Sequence, residues 1–232
     1  MHKSLLSAAA LALAVVAPLA QAHTEGDIIL RAGAITVNPK ADSSSVKVDQ
    51  GPLAGADLGG KATMSSDTQL GLNFAYMITD HVGIELLAAT PFEHDVKLKG
   101  TGLAAANGKL GSLKHLPPTL SVVYYPLDPK SVFQPYVGAG INYTWIYDEH
   151  VGSSASAAGF DNFKAKNSWG LAWQIGADYM LTDNIMINAQ ARYIDIDTRA
   201  TVENNAVAPG TRAKVNVDVD PFVYMVGIGY KF

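Results

Sequence analysis

Nine polar side chains stand out because each lies on the polar face of a segment whose other face is apolar. They comprise two guanidinium groups, two carboxylates and five carboxamides: Arg31, Gln69, Asn73, Glu85, Asn142, Gln174, Asp178, Gln190 and Arg192. Charges removed from water must be paired and hydrogen bonded. We therefore predict that these side chains line one interior, and that its charged members pair and obstruct a continuous water-filled pore. Because buried charges are normally paired for stability alone, the network by itself predicts a structural role.

Prolines in two neighbouring segments limit the hydrogen bonds that those segments can make with each other. Proline has no N–H to donate to a neighbouring strand. Two follow each other in the segment Leu116, Pro117 and Pro118, and Pro91 interrupts the preceding apolar segment. We predict that these four residues interrupt the ladder between two neighbouring strands, which is the kind of gap that sideways exit of a small solute would need. The alternative is that the prolines only end or bend a strand near its rim.

Histidine and serine are the remaining candidates for chemistry. His94, His115 and His150 would form a metal site if their segments converged, because imidazole is a common metal ligand. Scattered loop histidines are more often solvated, and we predict no metal or other cofactor. His150 lies near Ser153 and Ser154, but no nucleophile motif frames them. Since the chain also has no cysteine, we predict no enzymatic activity.

These side chains need rigid elements to position them, and the sequence predicts strands with two different faces. Apolar residues alternate with small or polar ones over eight segments, as in β-strands. The predicted strands cover residues 27–35, 69–76, 82–88, 116–124, 134–150, 169–179, 185–198 and 215–232. In the last segment the apolar phase changes across Asp220 and Pro221. We predict a β-bulge there, because a bulge adds one residue and tolerates proline.

The apolar faces and the connections predict how the strands are arranged. Aromatic residues stand at the ends of the apolar rows and aliphatic residues in the middle, as expected where strands cross a bilayer. Connections alternate between long and short, as in bacterial barrels with outer loops and periplasmic turns. The predicted fold is therefore all-β: an eight-stranded antiparallel transmembrane β-barrel with long extracellular loops and short periplasmic turns. Closure removes the exposed strand edges that hydrocarbon does not tolerate.

Strand length predicts a projection beyond the membrane. The segment 134–150 would extend roughly 55 Å at ~3.3 Å per residue. Even when tilted, this length exceeds an apolar band of ~25 Å. We therefore expect a rigid extension of the barrel on its outer side.

The N-terminus predicts export. A basic start, an apolar stretch over residues 5–16 and an A-x-A site ending at Ala22 form the pattern of a secretory signal peptide. We predict a signal peptide over residues 1–22, removed on export, and a single barrel domain over residues 23–232. No other segment approaches the ~20 apolar residues of a spanning helix. The net charge is −4 and no basic run is present, which argues against a nucleic-acid partner.

Several stretches, in chain order, resemble the OmpW family of outer-membrane proteins, which includes AlkL and OprG. They are LPPTL at 116–120, PYVGAGINYT at 135–144, SWG at 168–170, YIDIDT at 193–198 and the pair at 220–221 before the last strand. The resemblance implies a bacterial outer-membrane barrel in contact with lipid and lipopolysaccharide. It also implies a channel that passes small hydrophobic or small amphipathic solutes by lateral diffusion into the outer leaflet.

The last strand, ending in Phe232, also resembles the terminal strand of outer-membrane barrels. That resemblance implies recognition by periplasmic chaperones and by the barrel assembly machinery. The alternative function is a structural or surface-interaction barrel, similar to an adhesin, which acts through its loops without transport. Such a barrel would need neither the proline pair nor an apolar lumen.

Overall fold

The computed structural model describes residues 22–102, 104 and 107–232. The predicted signal peptide lies outside the described residues except for Ala22, so it stays a prediction. The described part contains one helix, α1 (Ser153–Ala157). Among the described residues, no helix is long and apolar enough to cross a membrane.

Strands make up most of the described chain, as the alternating sequence predicts. In chain order they are β1 (Ile28–Asn38), β2 (Asp42–Ser43), β3 (Val46–Gln50), β4 (Asp57–Met64), β5 (Asp67–Met77), β6 (Val82–Ala89), β7 (Phe92–Thr101), β8 (Gly108–Leu116), β9 (Thr119–Tyr124), β10 (Phe133–Val151), β11 (Phe160–Ala165), β12 (Ser168–Met180), β13 (Ile185–Ile194), β14 (Asp197–Asn204), β15 (Thr211–Asp218) and β16 (Phe222–Lys231).

Eight of these strands pair edge to edge into a closed antiparallel ring, which we call the lower barrel. Their order round the ring is β1, β5, β6, β9, β10, β12, β13 and β16, with residues 133–142 contributed by β10. The ring closes where β16 pairs with β1, and its short turns at residues 78–81, 125–132 and 181–184 lie at one end. The predicted eight-stranded β-barrel is confirmed.

The other strands continue the wall above this ring and form what we call the upper barrel. The order β11, β14, β15, β3, β4, β7, β8 leads to the upper part of β10, and β2 pairs with β15. The 19 residues of β10 run through both barrels. The predicted extension is therefore present, and it is built of strands.

The predicted long extracellular loops include residues 39–66, 99–112 and 151–166, and these connections contain secondary structure of their own. The first contains β2, β3 and β4, the second is largely covered by β7 and β8, and the third contains α1 and β11. These segments are rich in small residues such as Gly, Ala and Ser, so their alternation is weak. They become strands because the ladder to a distant neighbour supplies their backbone hydrogen bonds.

The two barrels have opposite polarity. In the lower barrel Leu72 and Ile228 face outward and are exposed, whereas Arg31 is buried inside. In the upper barrel Val217 is buried inside and Lys97 is exposed outside. An apolar exterior suits lipid, and an apolar interior with a charged exterior suits water. The boundary between the two barrels therefore corresponds to the outer face of the membrane.

The predicted β-bulge at residues 220–221 is wrong. Tyr193 pairs with Phe222 and Asp197 with Asp218, so three residues lie between the pairs on each strand and neither strand carries an extra residue. The apolar residues move from odd to even positions because the chain passes from the upper barrel in β15 to the lower barrel in β16. Its apolar face therefore turns from inside to outside while the side-chain direction is unchanged.

An extra residue occurs instead beside Pro91. Leu87 of β6 pairs with Thr119, and the next pair in that ladder is Phe92 of β7 with His115. Four intervening residues, 88–91, are therefore matched against three, 116–118. The buried positions change from odd numbers before this segment to even numbers after it. An inserted residue of this kind is what defines a bulge, and it locally disrupts the ladder.

Candidate functional site

An ion-pair network centred on Arg31 fills the interior of the lower barrel. The five N–H groups of this guanidinium make five hydrogen bonds, which is its whole donor capacity. Its acceptors are Asp178 Oδ1 at 3.0 Å and Oδ2 at 2.6 Å, Asn73 Oδ1 at 3.1 Å, Glu85 Oε2 at 3.3 Å and the hydroxyl of Tyr125 at 2.9 Å. A buried arginine with every donor satisfied is held rigidly.

Glu85 connects this cluster to a second arginine. Its Oε1 accepts hydrogen bonds from Arg192 Nη2 and from Gln174 Nε2, the latter at 2.9 Å. Arg192 also donates to Gln190 Oε1 at 2.7 Å. The four charged groups, two guanidinium ions and two carboxylates, sum to zero and are almost completely excluded from solvent. This neutral network occupies the lumen of the lower barrel, whose width at eight strands leaves room for little besides side chains.

Two partners of Asp178 were not among the candidates from sequence. Asn188 Nδ2 donates to its Oδ1 at 2.8 Å, and His23 Nε2 lies 3.0 Å from its Oδ2. Asn188 stands on the polar face of a predicted strand, so the alternation already indicated its direction. His23 carries no such signal, since it lies outside every predicted strand.

Within the network and beside it, several buried polar atoms lack partners among the described residues. They are Asn73 Nδ2, Ser121 Oγ, Gln174 Oε1 and two nitrogens of Arg192, Nε and Nη1. Gln69 shares the inward face but stands apart from the network. Its carboxamide bonds Asp67 Oδ2 at 2.8 Å and Thr90 Oγ1 at 3.0 Å near the wall. The interior of the lower barrel therefore keeps hydrogen-bonding capacity that its ion pairs do not use.

The upper barrel encloses an apolar chamber. Its wall is formed mainly by aliphatic and aromatic side chains, among them Val37, Leu113, Ile146, Phe163 and Val217. The cavity inside measures about 40 Å³. An engineered cavity of roughly 150 Å³ binds benzene, so this chamber is smaller than one known to hold a small aromatic solute. The chamber is closed here and must widen before it admits a larger solute.

Two histidines interrupt the apolar wall of this chamber. His94 of β7 and His115 of β8 are buried, and their Nε2 atoms lie 2.8 Å apart. The third candidate ligand, His150, is exposed beside Asp148 and does not join them. The expectation that these histidines are simply solvated is wrong for His94 and His115. The fold brings together two of the three residues of the candidate metal site.

The strand ladder is interrupted where the lower and upper barrels meet, and we call this interruption the gap. Residues 88–91 on one side and 116–118 on the other have no partners in the ladder that continues above and below them. Pro118 is exposed and Pro117 is buried. A cavity of about 240 Å³ opens at this position, lined by Ala88, Ala89, Leu116, Pro117, Pro118, Tyr143 and Trp145. The predicted proline segment therefore borders an interruption of the ladder.

The opposite edge of the proline segment is held in place by β10. The N–H of Tyr143 donates to the carbonyl of Pro118 at 3.1 Å. From inside the barrel, Asn142 Nδ2 lies 3.1 Å from the carbonyl oxygen of Pro117 and 3.2 Å from that of Pro118. Thr144 Oγ1 donates to Asn142 Oδ1 at 2.7 Å, which orients the carboxamide. Asn142 was predicted as a lumen residue, but its bonds to the prolines follow only from the fold.

The candidate catalytic residues lie on the surface. Ser153 and Ser154 are exposed in α1, and His150 Nδ1 lies 2.9 Å from the backbone carbonyl of Asp148. Elsewhere on the outside, carboxylate oxygens of Asp195, Asp197 and Asp220 lie within 4.8 Å of one another. Exposed acidic groups of this kind are common and define no site by themselves.

Comparison with known proteins identifies the relatives of this chain. The OmpW family profile matches residues 24–232. Outer membrane protein W of Vibrio cholerae is 43% identical over 224 residues, covering 95% of this chain and 97% of that protein. The crystal structure of the outer membrane protein OprG from Pseudomonas aeruginosa has a TM-score of 0.84 and 48% identity, covering 91% of this chain and 98% of that chain.

A more distant relative is the dibenzothiophene metabolism operon protein PahQ of Pseudomonas aeruginosa. It is 27% identical over 175 residues, covering 75% of this chain and 76% of that protein. The nearer relatives are outer-membrane barrels rather than enzymes, which places the barrel described above in the bacterial outer membrane with lipid against its apolar exterior. The chain belongs to the OmpW family.

Proposed function

We propose that this protein lets small hydrophobic or small amphipathic solutes cross the outer surface and releases them sideways into the outer leaflet. The route enters the apolar chamber of the upper barrel and leaves through the gap beside Pro117 and Pro118. The observation that carries the proposal is the coincidence of three features at one level: the top of a neutral ion-pair plug, the base of an apolar chamber and an interruption of the wall.

The polarity of the interior supports a sideways exit. A solute that continued downward would meet Arg192 and Glu85, whose pairing leaves no open path. Lipid lies directly outside the gap, because Tyr143 and Trp145 of its rim belong to the outer aromatic positions. The free energy of an apolar solute falls when it moves from water into the apolar chamber, and hydrocarbon outside is also an apolar environment. The name of the relative PahQ, which refers to the apolar aromatic dibenzothiophene, agrees with this solute class.

Passage requires the proline segment to move, and Asn142 controls that movement in this proposal. Its carboxamide ties the carbonyl groups of Pro117 and Pro118 to β10. The prolines keep the other side free, because they donate no hydrogen bond toward residues 88–91. The segment is therefore attached along one edge only, as a movable part of the wall would be.

The test is uptake of a small apolar and a small amphipathic solute into liposomes that carry the purified protein. Pro117→Ala/Pro118→Ala restores two N–H donors at the gap and is expected to reduce uptake. Asn142→Ala removes the side-chain part of the attachment to β10, leaves the bond from the Tyr143 N–H, and is expected to increase uptake. Pro126→Ala, in the exposed turn after β9, is the matched control and should leave uptake unchanged.

Each variant must first be shown to be a folded, heat-modifiable barrel. Uptake that is absent in the wild type, or unaffected by the proline pair, would contradict the lateral route. The protein would then be better explained as a structural or surface-interaction barrel. The closed chamber and the charged exterior of the upper barrel are the observations that favour this second candidate.

We also propose that export and assembly follow the signals predicted from sequence. Cleavage after Ala22 would leave His23 first in the mature chain, beside Asp178. The terminal strand β16 closes the ring against β1, so it is a suitable element for recognition by chaperones and the assembly machinery. The intact mass of the protein from outer membranes tests the first point, and removal of Phe232 followed by measurement of assembled barrel tests the second.

A further inference from the structure

The buried pair His94 and His115 has no role in the proposed route so far. Both rings stack with Phe92, whose centroid lies 6.4 Å from that of His94 and 5.3 Å from that of His115. Both rings line the apolar chamber. Buried polar groups normally have hydrogen-bond partners, so each ring nitrogen can be accounted for in turn.

The contacts of His94 determine which nitrogens carry protons. Its Nδ1 lies 2.5 Å from the backbone carbonyl oxygen of Ser65, which can only accept, so Nδ1 carries the hydrogen. Burial lowers the pKa of His94, and the ring is therefore neutral at pH 7 with an acceptor at Nε2. His115 Nε2, 2.8 Å away, must then be the donor between the two rings.

This assignment leaves His115 Nδ1 as an acceptor without a hydrogen. Among the residues that the structure describes, it has no hydrogen-bond partner, although the side chain is deeply buried. Burial, together with the neighbouring His94, lowers the pKa of His115 to about 3, so the nitrogen does not take up a proton at neutral pH. An unpaired acceptor in an apolar environment is destabilising. It is relieved by a neutral group that donates a hydrogen bond.

The position of His115 connects it to the exit. It pairs with Phe92 in the first residue pair above the gap and directly precedes Leu116, which lines the gap cavity. A solute that passes from the chamber to the gap must therefore pass the His115 ring. The surrounding wall offers apolar contacts to the remainder of such a molecule.

We propose that His115 Nδ1 is a recognition site for neutral amphipathic solutes with a hydrogen-bond donor, such as phenols and aliphatic alcohols. This inference rests on the proposed function, because it names the solute class that the lateral route prefers. A hydrocarbon of the same shape leaves Nδ1 unpaired. An ionised carboxylate offers no donor and would lose its hydration in the chamber.

The first test is binding to the wild-type protein. The barrel, with its histidines labelled with ¹⁵N, is placed in lipid nanodiscs and titrated at neutral pH with phenol, toluene or benzoate. Phenol is expected to shift the His115 Nδ1 resonance in a saturable manner, whereas toluene and benzoate leave it unchanged. No shift with phenol, or an equal shift with toluene, would overturn the proposal.

The second test is selectivity of uptake, corrected for protein-free liposomes. A net hydrogen bond predicts a phenol preference over toluene of roughly threefold to tenfold. His115→Phe should abolish this preference, measured as the ratio of phenol to toluene uptake, and His150→Phe, at an exposed histidine, should preserve the ratio. If phenol shifts Nδ1 but neither solute is taken up, the lateral route fails and the recognition site stands. If uptake occurs and the preference survives His115→Phe, the recognition site fails and the route stands.

Discussion

Replacing Glu85 with glutamine tests whether the plug depends on charge balance. Glu85 accepts hydrogen bonds from Arg31, Arg192 and Gln174, and all of these groups are buried. Glutamine keeps the shape but removes the charge, so the four-ion network passes from a net charge of zero to +1. The NH₂ group of the glutamine would also face N–H donors at a position where a carboxylate oxygen of Glu85 accepts their hydrogen bonds.

The expected magnitude follows from the loss of one partner of a buried ion pair, which typically costs about 3–5 kcal/mol. Reversible denaturant unfolding of the barrel in lipid vesicles measures the change in the free energy of unfolding. Glu93→Gln is the matched control, because Glu93 is exposed on β7. It should change this free energy by no more than about 0.5 kcal/mol.

A second variant separates charge balance from shape. Glu85→Gln/Arg192→Gln removes one charge of each sign and leaves the Arg31–Asp178 pair intact. Part of the lost stability should return, giving a coupling energy in the double-mutant cycle. If Glu85→Gln unfolds at the same denaturant concentration as Glu93→Gln, the ion pairs contribute no stability and the interpretation of the plug is wrong.

Two further predictions concern ring closure and pH. A Cβ on Gly33 would overlap the backbone carbonyl oxygen of Val226, where β1 meets β16. Gly33→Val should therefore reduce the fraction of protein that forms a heat-modifiable barrel. Ala32→Val, on the lipid face, is the control and should not reduce it. Burial lowers the pKa of His94 and lowers that of His115 to about 3, whereas an unfolded histidine has a pKa near ~6.5. The unfolded state therefore binds more protons between these values, and the upper barrel should be fully stable above pH ~6.5 and lose stability as the pH falls toward 3. Hydrogen exchange of β7 and β8, corrected for intrinsic rates, measures this loss, and a wild-type pH dependence no steeper than that of His115→Phe would contradict it.

The upper barrel shows why local pattern misled the sequence interpretation. In residues 215–219 the apolar side chains occupy odd positions. The buried side chains that follow, Val223 and Met225, also occupy odd positions. The change in apolar phase was attributed to an extra residue because one environment was assumed for the whole strand. The exterior changes from water to lipid along that strand, and the apolar face changes sides with it.

The sequence by itself determined the lower barrel, its apolar exterior and the direction of its interior residues. Alternation with a period of two is a local property, and contact with lipid imposes it on every strand that crosses the membrane. Tertiary structure alone decided which residues meet. Arg31 and Asp178 are 147 positions apart, and Glu85 and Arg192 are 107 apart. The same holds for His94 with His115 and for Asn142 with the proline carbonyl groups. Such contacts depend on the register in which distant strands pair, and no single strand carries that information.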